Sequence, residues 1–300
     1  MALCARENST DQVLEAMKWY FGKQQCRSIT FSETDNDFGE YFDLNVIGDD
    51  HVEVKHIVVV DDGVIVAPTP AADQTLILVP VTSGDTANEK ALAMETALAA
   101  VNVRTLVTSG TIEVLNKMPG LLTAESVANI TNLVIVVDQL GTGGYIGQTG
   151  EGTLTIEESV VQLLDDANGT VVLDEIITGY TANIAFTLKE MTDERWETIV
   201  GEVAGNNITV NAKTGTAYGT NKLYQSKFQY AGRLIGHPVR KLATDLTADI
   251  CMLLTSPKLS SINYSGANVQ EAACEFVSYK DSNAPEEANL VVRGAVHTEI

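Results

Sequence analysis

The chain has 300 residues, a length that suits one large all-β domain or two smaller domains. Hydrophobic residues make up 45% of it and charged residues 20%, a balance that argues against a disordered chain. The formal net charge of −21 disfavours a nucleic-acid-binding surface, which needs clustered Lys and Arg, and also disfavours binding to an anionic membrane.

Residues 1–7 lack the apolar run of a secretory signal.

The residues that follow are typical of a helix. Ser9 and Gln12 have the spacing of a capping box, and Gly22 marks the end of the helix. The apolar residues that would share the buried face of this helix are Val13, Leu14, Met17 and Phe21.

Residues 28–81 predict β-structure, because short runs of branched and aromatic residues alternate with turn residues. Asp62 and Gly63 are typical of a tight hairpin turn between strands 57–60 and 64–66. The predicted strands are residues 29–31, 41–46, 52–60, 64–66 and 76–81.

One alanine-rich helix interrupts the strands. Thr86 and Glu89 have the spacing of a capping box, and strong helix formers continue to about Val101. Strands are predicted after this helix at residues 105–107, 111–114 and 133–137, with a break at Pro119 and Gly120.

The second half opens with a glycine-rich run, residues 141–152. A pair of strands follows, with Asn168 and Gly169 as the turn between them. The residues expected to share one face of each strand are Leu154, Ile156, Glu158 and Val160 in the first, and Ile184, Phe186 and Leu188 in the second.

A second helix is predicted at residues 192–203. Thr192 caps it, acidic residues occupy its first turn, and Trp196 belongs to its apolar stripe. The remaining predicted strands are residues 208–210, 228–230, 250–254, 275–279 and 290–292.

Motifs that resemble chemical sites lack their essential partners. The glycine-rich run misses the G-x-G-x-x-G spacing and leads into a strand, whereas a dinucleotide site needs a helix there. Lys213-Thr214-Gly215 has no companion S-x-x-K motif. The Asp165–Gly169 segment has Leu164 where a calcium loop needs its first carboxylate. Adjacent acids such as Glu157 and Glu158 point to opposite faces of a strand.

The cysteines and histidines show no pattern of a metal site. The cysteines have no C-x-x-C pair and predict reduced thiols rather than disulfides. The four histidines have no ligand spacing. We therefore assign no catalytic, cofactor-binding or metal-binding residue from the sequence, and we expect neither a cofactor nor enzymatic activity.

The order of elements in the second half resembles a known family. Residues 147–158 (GQTGEGTLTIEE) continue through a hairpin into residues 176–190 (IITGYTANIAFTLKE), and the acid-capped helix 192–203 follows directly. This order resembles the tail tube (major tail) proteins of tailed bacteriophages.

The resemblance implies a mainly β (α+β) fold: an antiparallel β-sandwich or half-barrel with one flanking helix. It implies that six subunits close into a ring, and that stacked rings form the tube through which DNA leaves the capsid. The tail-tube-like domain would span residues 131–300. Residues 1–130 would form an N-terminal region with a β-rich extra or inserted domain.

The resemblance also implies partners and a location. The partners would be further copies of the chain, other tail proteins (tape measure, terminator and a possible sheath) and passing DNA that is not tightly bound, with no membrane. The protein would be assembled in the bacterial cytoplasm and would reside in the virion tail. The net charge of −21 suits a lumen that must not bind its cargo.

Other functions remain open at this point. A capsid decoration protein, a tail terminator or a baseplate component of a phage or contractile injection system has the same β-rich character. An acidic β-rich binding module and an enzyme with an unrecognised site are further alternatives. Polymerisation into a hollow tube distinguishes the first interpretation from all of these.

Overall fold

The computed structural model describes residues 16–32, 39–63, 68–127, 130–147, 149–165, 171–189, 192, 199, 206–217, 224, 226–263, 271–282, 284–286 and 290–300. These residues are mainly in antiparallel β-sheets, with a single α-helix among them. The predicted mainly-β fold class is confirmed.

The described residues of the first half of the chain form eight strands and the helix. They are β1 (Met17–Gly22), β2 (Cys26–Phe31), β3 (Gly39–Ile47), β4 (Glu53–Asp61), β5 (Gln74–Pro80), α1 (Ala87–Leu98), β6 (Val103–Thr108), β7 (Thr111–Asn116) and β8 (Leu133–Gln139).

The second half contains the longest strands. They are β9 (Gly144–Tyr145), β10 (Thr149–Asp165), β11 (Val171–Leu188), β12 (Asn206–Val210), β13 (Lys213–Ala217), β14 (Gly232–Pro238), β15 (Ile250–Asn263), β16 (Glu271–Ser278) and β17 (Val291–Arg293). Short 3-10 helices lie at Lys227–Tyr230, Leu246–Ala248 and Ala295–Thr298.

The strands form four sheets. The large sheet has the order β10-β11-β16-β15-β14-β1-β9, with β17 also paired to β15. A four-stranded sheet has the order β6-β7-β2-β8, and a three-stranded sheet has the order β3-β4-β5. Strands β12 and β13 form a separate hairpin. All pairings are antiparallel except that of β4 with β5.

Several local predictions are confirmed. In α1 the Thr86 backbone N–H donates to Glu89 Oε2 at 2.8 Å, and the Glu89 N–H donates to Thr86 Oγ1 at 3.3 Å, so both halves of the capping box are present. This helix ends at Leu98, earlier than expected. The predicted strand at residues 64–66 and the turn at Asn168 lie outside the described residues.

The predicted N-terminal helix is wrong over residues 17–22. These residues form β1, which lies between β14 and β9, so Trp19, Tyr20 and Phe21 are all buried. A strand buried on both faces loses its alternation, and the four-residue spacing of Met17 and Phe21 then imitates a helix. The start of that predicted helix lies outside the described residues.

Two further differences lie in the second half. Residues 228–230 were expected as a strand but belong to the 3-10 helix Lys227–Tyr230, which the Ser226 hydroxyl caps by accepting a hydrogen bond from the Phe228 N–H at 3.2 Å. Strand β14 was not expected. Of the predicted helix 192–203 the structure describes Thr192 and Ile199, and Ile199 is buried against the large sheet; Trp196 lies outside the described residues.

The chain buries two main hydrophobic cores. The first lies between α1 and the four- and three-stranded sheets, where Met94, Val58 and Ile112 are fully buried. The second lies on one face of the large sheet and contains Trp19, Phe21, Phe186 and Phe276. Its rings pack at centroid distances of 5.3 Å (Trp19 to Phe186), 5.3 Å (Phe186 to Phe276) and 5.1 Å (Phe21 to Phe276).

A buried ion pair links β2 to the segment before β8. The Arg27 guanidinium lies 2.9 Å from the Glu125 carboxylate, and both side chains are buried. Burial lowers the pKa of Arg27 and raises the pKa of Glu125, while each charge opposes the shift of the other. The Asn45 N–H also donates to the Glu125 carboxylate, which fixes this segment against β3.

The sheets cross the expected domain boundary at residue 130. Strand β1 pairs with β14, and β2 pairs with β8. The division into residues 1–130 and 131–300 stays a prediction, but any two units would share hydrogen-bonded strands across it.

We expect Phe276→Ala to lower the free energy of unfolding by about 3–5 kcal/mol, because it removes a ring that is fully buried between Phe21 and Phe186. Urea denaturation followed by circular dichroism measures the change. Phe228→Ala is the matched control, since the Phe228 side chain is mostly exposed. If both variants lose the same small amount of unfolding free energy, Phe276 does not lie in the aromatic core as described.

Candidate functional site

The β10–β11 hairpin projects from the large sheet. The two strands pair from Thr149 and Leu188 to Asp165 and Val171. The next strand, β16, pairs only with residues 183–188 of β11. Residues 171–182 and their partners in β10 therefore extend beyond the sheet, by on the order of 40 Å for an extended strand of this length.

Both faces of this projecting hairpin are apolar and exposed. Ile176 and Ile177 are neighbours, so they point to opposite faces, yet they are 49% and 48% exposed. Val160 and Val161 repeat this arrangement on β10. The exposed apolar side chains of the hairpin are Leu154, Ile156, Val160, Val161, Leu163, Leu164, Val172, Ile176, Ile177 and Tyr180. We call this set the hairpin patch.

The predicted apolar face is buried in β11 but exposed in β10. Ile184, Phe186 and Leu188 lie on one face of β11 and are buried in the second core, as the alternation predicts. Leu154 and Ile156 lie on the partner strand but are exposed. The apolar pattern of β10 therefore serves a surface and not the interior of this chain.

The hairpin strands carry only negative charge. Their charged residues are Glu151, Glu157, Glu158, Asp165, Asp174 and Glu175, with no Lys or Arg in residues 149–165 or 171–188. Glu157 and Glu158 are both exposed, in agreement with their expected role as solvated charges. Strand β10 also forms an end of the large sheet, so its outer edge has no strand partner within the described residues.

The glycine-rich run is part of the fold rather than a free loop. A Cβ atom on Gly22 would lie 1.8 Å from the Thr142 carbonyl oxygen, and one on Gly143 would lie 2.0 Å from that of Phe21. The Lys23 N–H donates to Thr142 Oγ1 at 3.1 Å. These close backbone contacts predict that deletion of residues 141–152 disrupts the large sheet.

The other short motifs lie in strands and turns of the fold. Lys213-Thr214-Gly215 is the start of β13, in the hairpin with β12. Asp50, in the turn between β3 and β4, accepts a hydrogen bond from the Val52 N–H at 3.1 Å. The centre of the Asp165–Gly169 segment lies outside the described residues.

Two of the four histidines contact one buried carboxylate and a third lies beside them, an arrangement that was not predicted from the sequence. His237 Nδ1 lies 2.7 Å from Asp249 Oδ1, and His297 Nε2 lies 3.2 Å from Asp249 Oδ2. His51 lies beside them with its ring stacked on Tyr20, at a centroid distance of 3.3 Å and an interplanar angle of 4°. We call His51, His237, Asp249 and His297 the histidine cluster.

The histidine cluster is mostly buried and incompletely hydrogen-bonded: His51 is partly exposed, although both of its ring nitrogens are buried. Asp249 and His297 are both 0% exposed. Within the described part of the chain, His237 Nε2, His297 Nδ1 and both ring nitrogens of His51 have no hydrogen-bond partner. Burial, followed by the charges of His237, His297 and Lys18, lowers the pKa of His51 to about 3. His51 is therefore neutral at pH 7 in the folded protein.

The geometry of the cluster is that of a packed polar core. Each carboxylate oxygen of Asp249 accepts a hydrogen bond from one histidine ring, so both oxygens are already engaged within the cluster. Among the residues that the structure describes, no group of three His, Cys, Asp or Glu side chains is arranged to hold a metal ion. His56, the fourth histidine, lies apart on β4.

The cysteines that the structure describes are free thiols. Cys26 is partly exposed, and Cys251 and Cys274 are buried. Burial raises the pKa of Cys251 to about 11 and that of Cys274 to about 12. These two side chains act as small hydrophobic residues of the cores, because almost none of either is a thiolate at pH 7.

The sequence matches no family model and no curated protein. None of the helices in the described ranges is long and apolar enough to cross a membrane.

We expect Asp249→Asn to lower the free energy of unfolding by about 1–3 kcal/mol, because an amide cannot accept hydrogen bonds from both histidine rings. Chemical denaturation at pH 7 measures the loss. Asp138→Asn is the control, since Asp138 is exposed and should leave stability near the wild-type value. A wild-type midpoint in Asp249→Asn would contradict the arrangement of the cluster.

Proposed function

We propose that this protein is a structural subunit that assembles with copies of itself, as the tail tube protein of a tailed bacteriophage. The observation that carries the proposal is the projecting β10–β11 hairpin, which presents apolar side chains on both faces and a strand edge that no other described strand pairs with. An exposed apolar surface of this kind is typical of a protein interface.

The hairpin patch has the size of an interface. Ten large apolar side chains that are about half exposed present on the order of 800 Å², which is the contribution of one partner to a standard stable interface. A single two-stranded hairpin is marginally stable in water, so contact with a partner would also stabilise the projecting strands.

A second copy of the chain is the partner that fits best. The large sheet ends in β10 on one side and in the two-residue strand β9 on the other. Contact between the β10 end of one copy and the β9 end of the next is head-to-tail, and such contacts form a ring when the rotation closes. Closure also covers strand edges that would otherwise promote aggregation.

The charge of the chain suits a conduit for DNA. The net charge of −21 and the acidic hairpin repel phosphate groups, so DNA would pass through a ring of these subunits without tight binding. Stacked six-membered rings in the virion tail would contact tape measure, terminator and sheath proteins. The role requires no catalysis and no cofactor.

A capsid decoration protein, tail terminator or baseplate component remains the second candidate. The same hairpin would serve these proteins as an assembly surface. They differ from a tail tube protein in that they do not polymerise into a continuous hollow tube.

We expect purified protein to form rings or hollow tubes at high concentration, and the double variant Val160→Thr with Ile177→Thr to remain monomeric. These two side chains are paired across the hairpin and exposed, so threonine removes apolar contact area while it preserves β-propensity and charge. Negative-stain electron microscopy and light scattering over a concentration series report the assemblies.

The matched control is Leu106→Thr with Val136→Thr, which removes exposed apolar groups from the four-stranded sheet. The control should assemble like the wild type, and both double variants should keep the wild-type unfolding midpoint. Tubes formed by the hairpin variant would refute the role of the hairpin. Closed particles without tubes would favour the second candidate.

A further inference from the structure

The histidine cluster joins three separate segments of the chain. His51 lies in the turn between β3 and β4, His237 is in β14, and His297 belongs to the C-terminal 3-10 helix Ala295–Thr298. Asp249 immediately precedes β15. The cluster therefore fastens the C-terminal segment and the β3–β4 turn to the large sheet.

The C-terminal segment, residues 291–300, depends on few other attachments. Strand β17 pairs with β15 over only three residues, from Ile250 to Met252. Arg233 donates from Nη1 to the His297 carbonyl at 3.0 Å and from Nη2 to the Ile300 carbonyl at 2.8 Å. The ion pair of Lys117 with Glu299 is partly exposed to solvent. The bond from His297 to Asp249 is thus the most buried polar attachment of this segment.

We propose that the histidine cluster is an acid-operated latch, in which protonation of His51 releases the β3–β4 turn and the C-terminal segment from the large sheet. The proposal does not rest on the assembly function. It follows from the burial of His237, Asp249 and His297 at one junction and from the buried, unpartnered ring nitrogens of His51.

The groups around His51 disfavour its protonation in the closed state. Lys18 and Tyr20 face it from β1, His237 from β14, and His297 from the C-terminal helix. Tyr20, on which His51 stacks, lies within electrostatic reach of Asp50 in the same turn as His51, of Asp249 and of Tyr145 on β9. Burial, followed by the charges of His237, His297 and Lys18, lowers the pKa of His51 to about 3.

The sign of the pH effect follows from this lowered pKa. Once the turn is released, His51 is exposed to water and regains its ordinary pKa of about 6.5. The open state therefore binds one more proton than the closed state between about pH 6.5 and pH 3. Over this range the closed state loses stability as the pH falls, and the opening equilibrium rises up to tenfold for each pH unit.

Opening would uncover a specific surface. The edge of β15 at residues 250–252 would lose its pairing with β17. Val292 would leave a small buried cluster that contains Ile235, Leu246 and Cys251. The released state thus presents a new strand edge beside apolar side chains, both of which are covered at neutral pH.

Amide hydrogen exchange of the full chain tests the latch directly. The reporters are the amides of His297 and Glu299, which donate within the C-terminal helix, and the amides of β16 provide an internal reference for global unfolding. Protection, corrected for the intrinsic exchange rate, should fall up to tenfold per pH unit from pH 6.5 to pH 4.5 at the C-terminus, while that of β16 changes less.

The variant His51→Phe removes the titrating group and retains a ring that stacks on Tyr20. It should abolish the pH dependence of C-terminal protection, whereas the control His56→Gln should retain it. An unchanged pH dependence in His51→Phe would overturn the latch, as would wild-type protection that stays constant down to pH 4.5.

A titration of the wild-type protein keeps the test independent of the folding of the variant. With ¹³C-labelled histidine, the four ring signals can be followed by NMR from pH 8 to pH 4. The signal of closed-state His51 should show no titration near pH 6.5. A His51 ring that titrates near pH 6.5 while the C-terminal amides stay protected would overturn the proposal.

Discussion

The continuous segment from β1 through β2 is the constraint on which the arrangement of the sheets depends. Strand β1 lies inside the large sheet, between β14 and β9, and β2 lies inside the four-stranded sheet, between β7 and β8. Only residues 23–25 separate the two strands, and they are hydrogen-bonded themselves: the Asn116 N–H donates to the Gln25 carbonyl at 2.9 Å, and the Gln24 side chain donates to the Lys117 carbonyl at 2.7 Å. Two sheets joined through interior strands by so short a link have little freedom to move relative to each other.

Small residues permit the close approach that this arrangement needs. Gly232 and Gly236 on β14 face β1, and a Cβ atom on Gly236 would lie 2.5 Å from the ring of Trp19. The backbone of Thr142 and Gly143 lies against Gly22 in the same way. The glycines therefore make room for the large aromatic side chains of the second core.

Local interactions were predictable from the sequence, whereas features built from distant residues were not. The capping box of α1 was predicted because Thr86 and Glu89 are neighbours that satisfy each other. Strand β11 was predicted because Ile184, Phe186 and Leu188 alternate towards a single core. Strand β1 was misassigned, since partners from elsewhere in the chain bury both of its faces.

The most polar part of the interior was the least predictable. Strand β14 contains Arg233 and His237, which no strand pattern places inside, and both are buried because their partners come from distant segments. The histidine cluster has no local spacing at all. The hairpin patch was visible in the sequence as an apolar alternation, but the alternation could not tell whether the apolar face meets this chain or another molecule.

The composition of the second core has a consequence for the order of events during synthesis. Trp19 and Phe21 are synthesised long before Phe276, the ring against which Phe21 packs. Until β14 is made, β1 lacks its long strand partner, and these two large aromatic side chains are exposed beside it. The first core around α1 is built from residues that precede β14 in the chain, so the nascent chain can close this core before the large sheet forms.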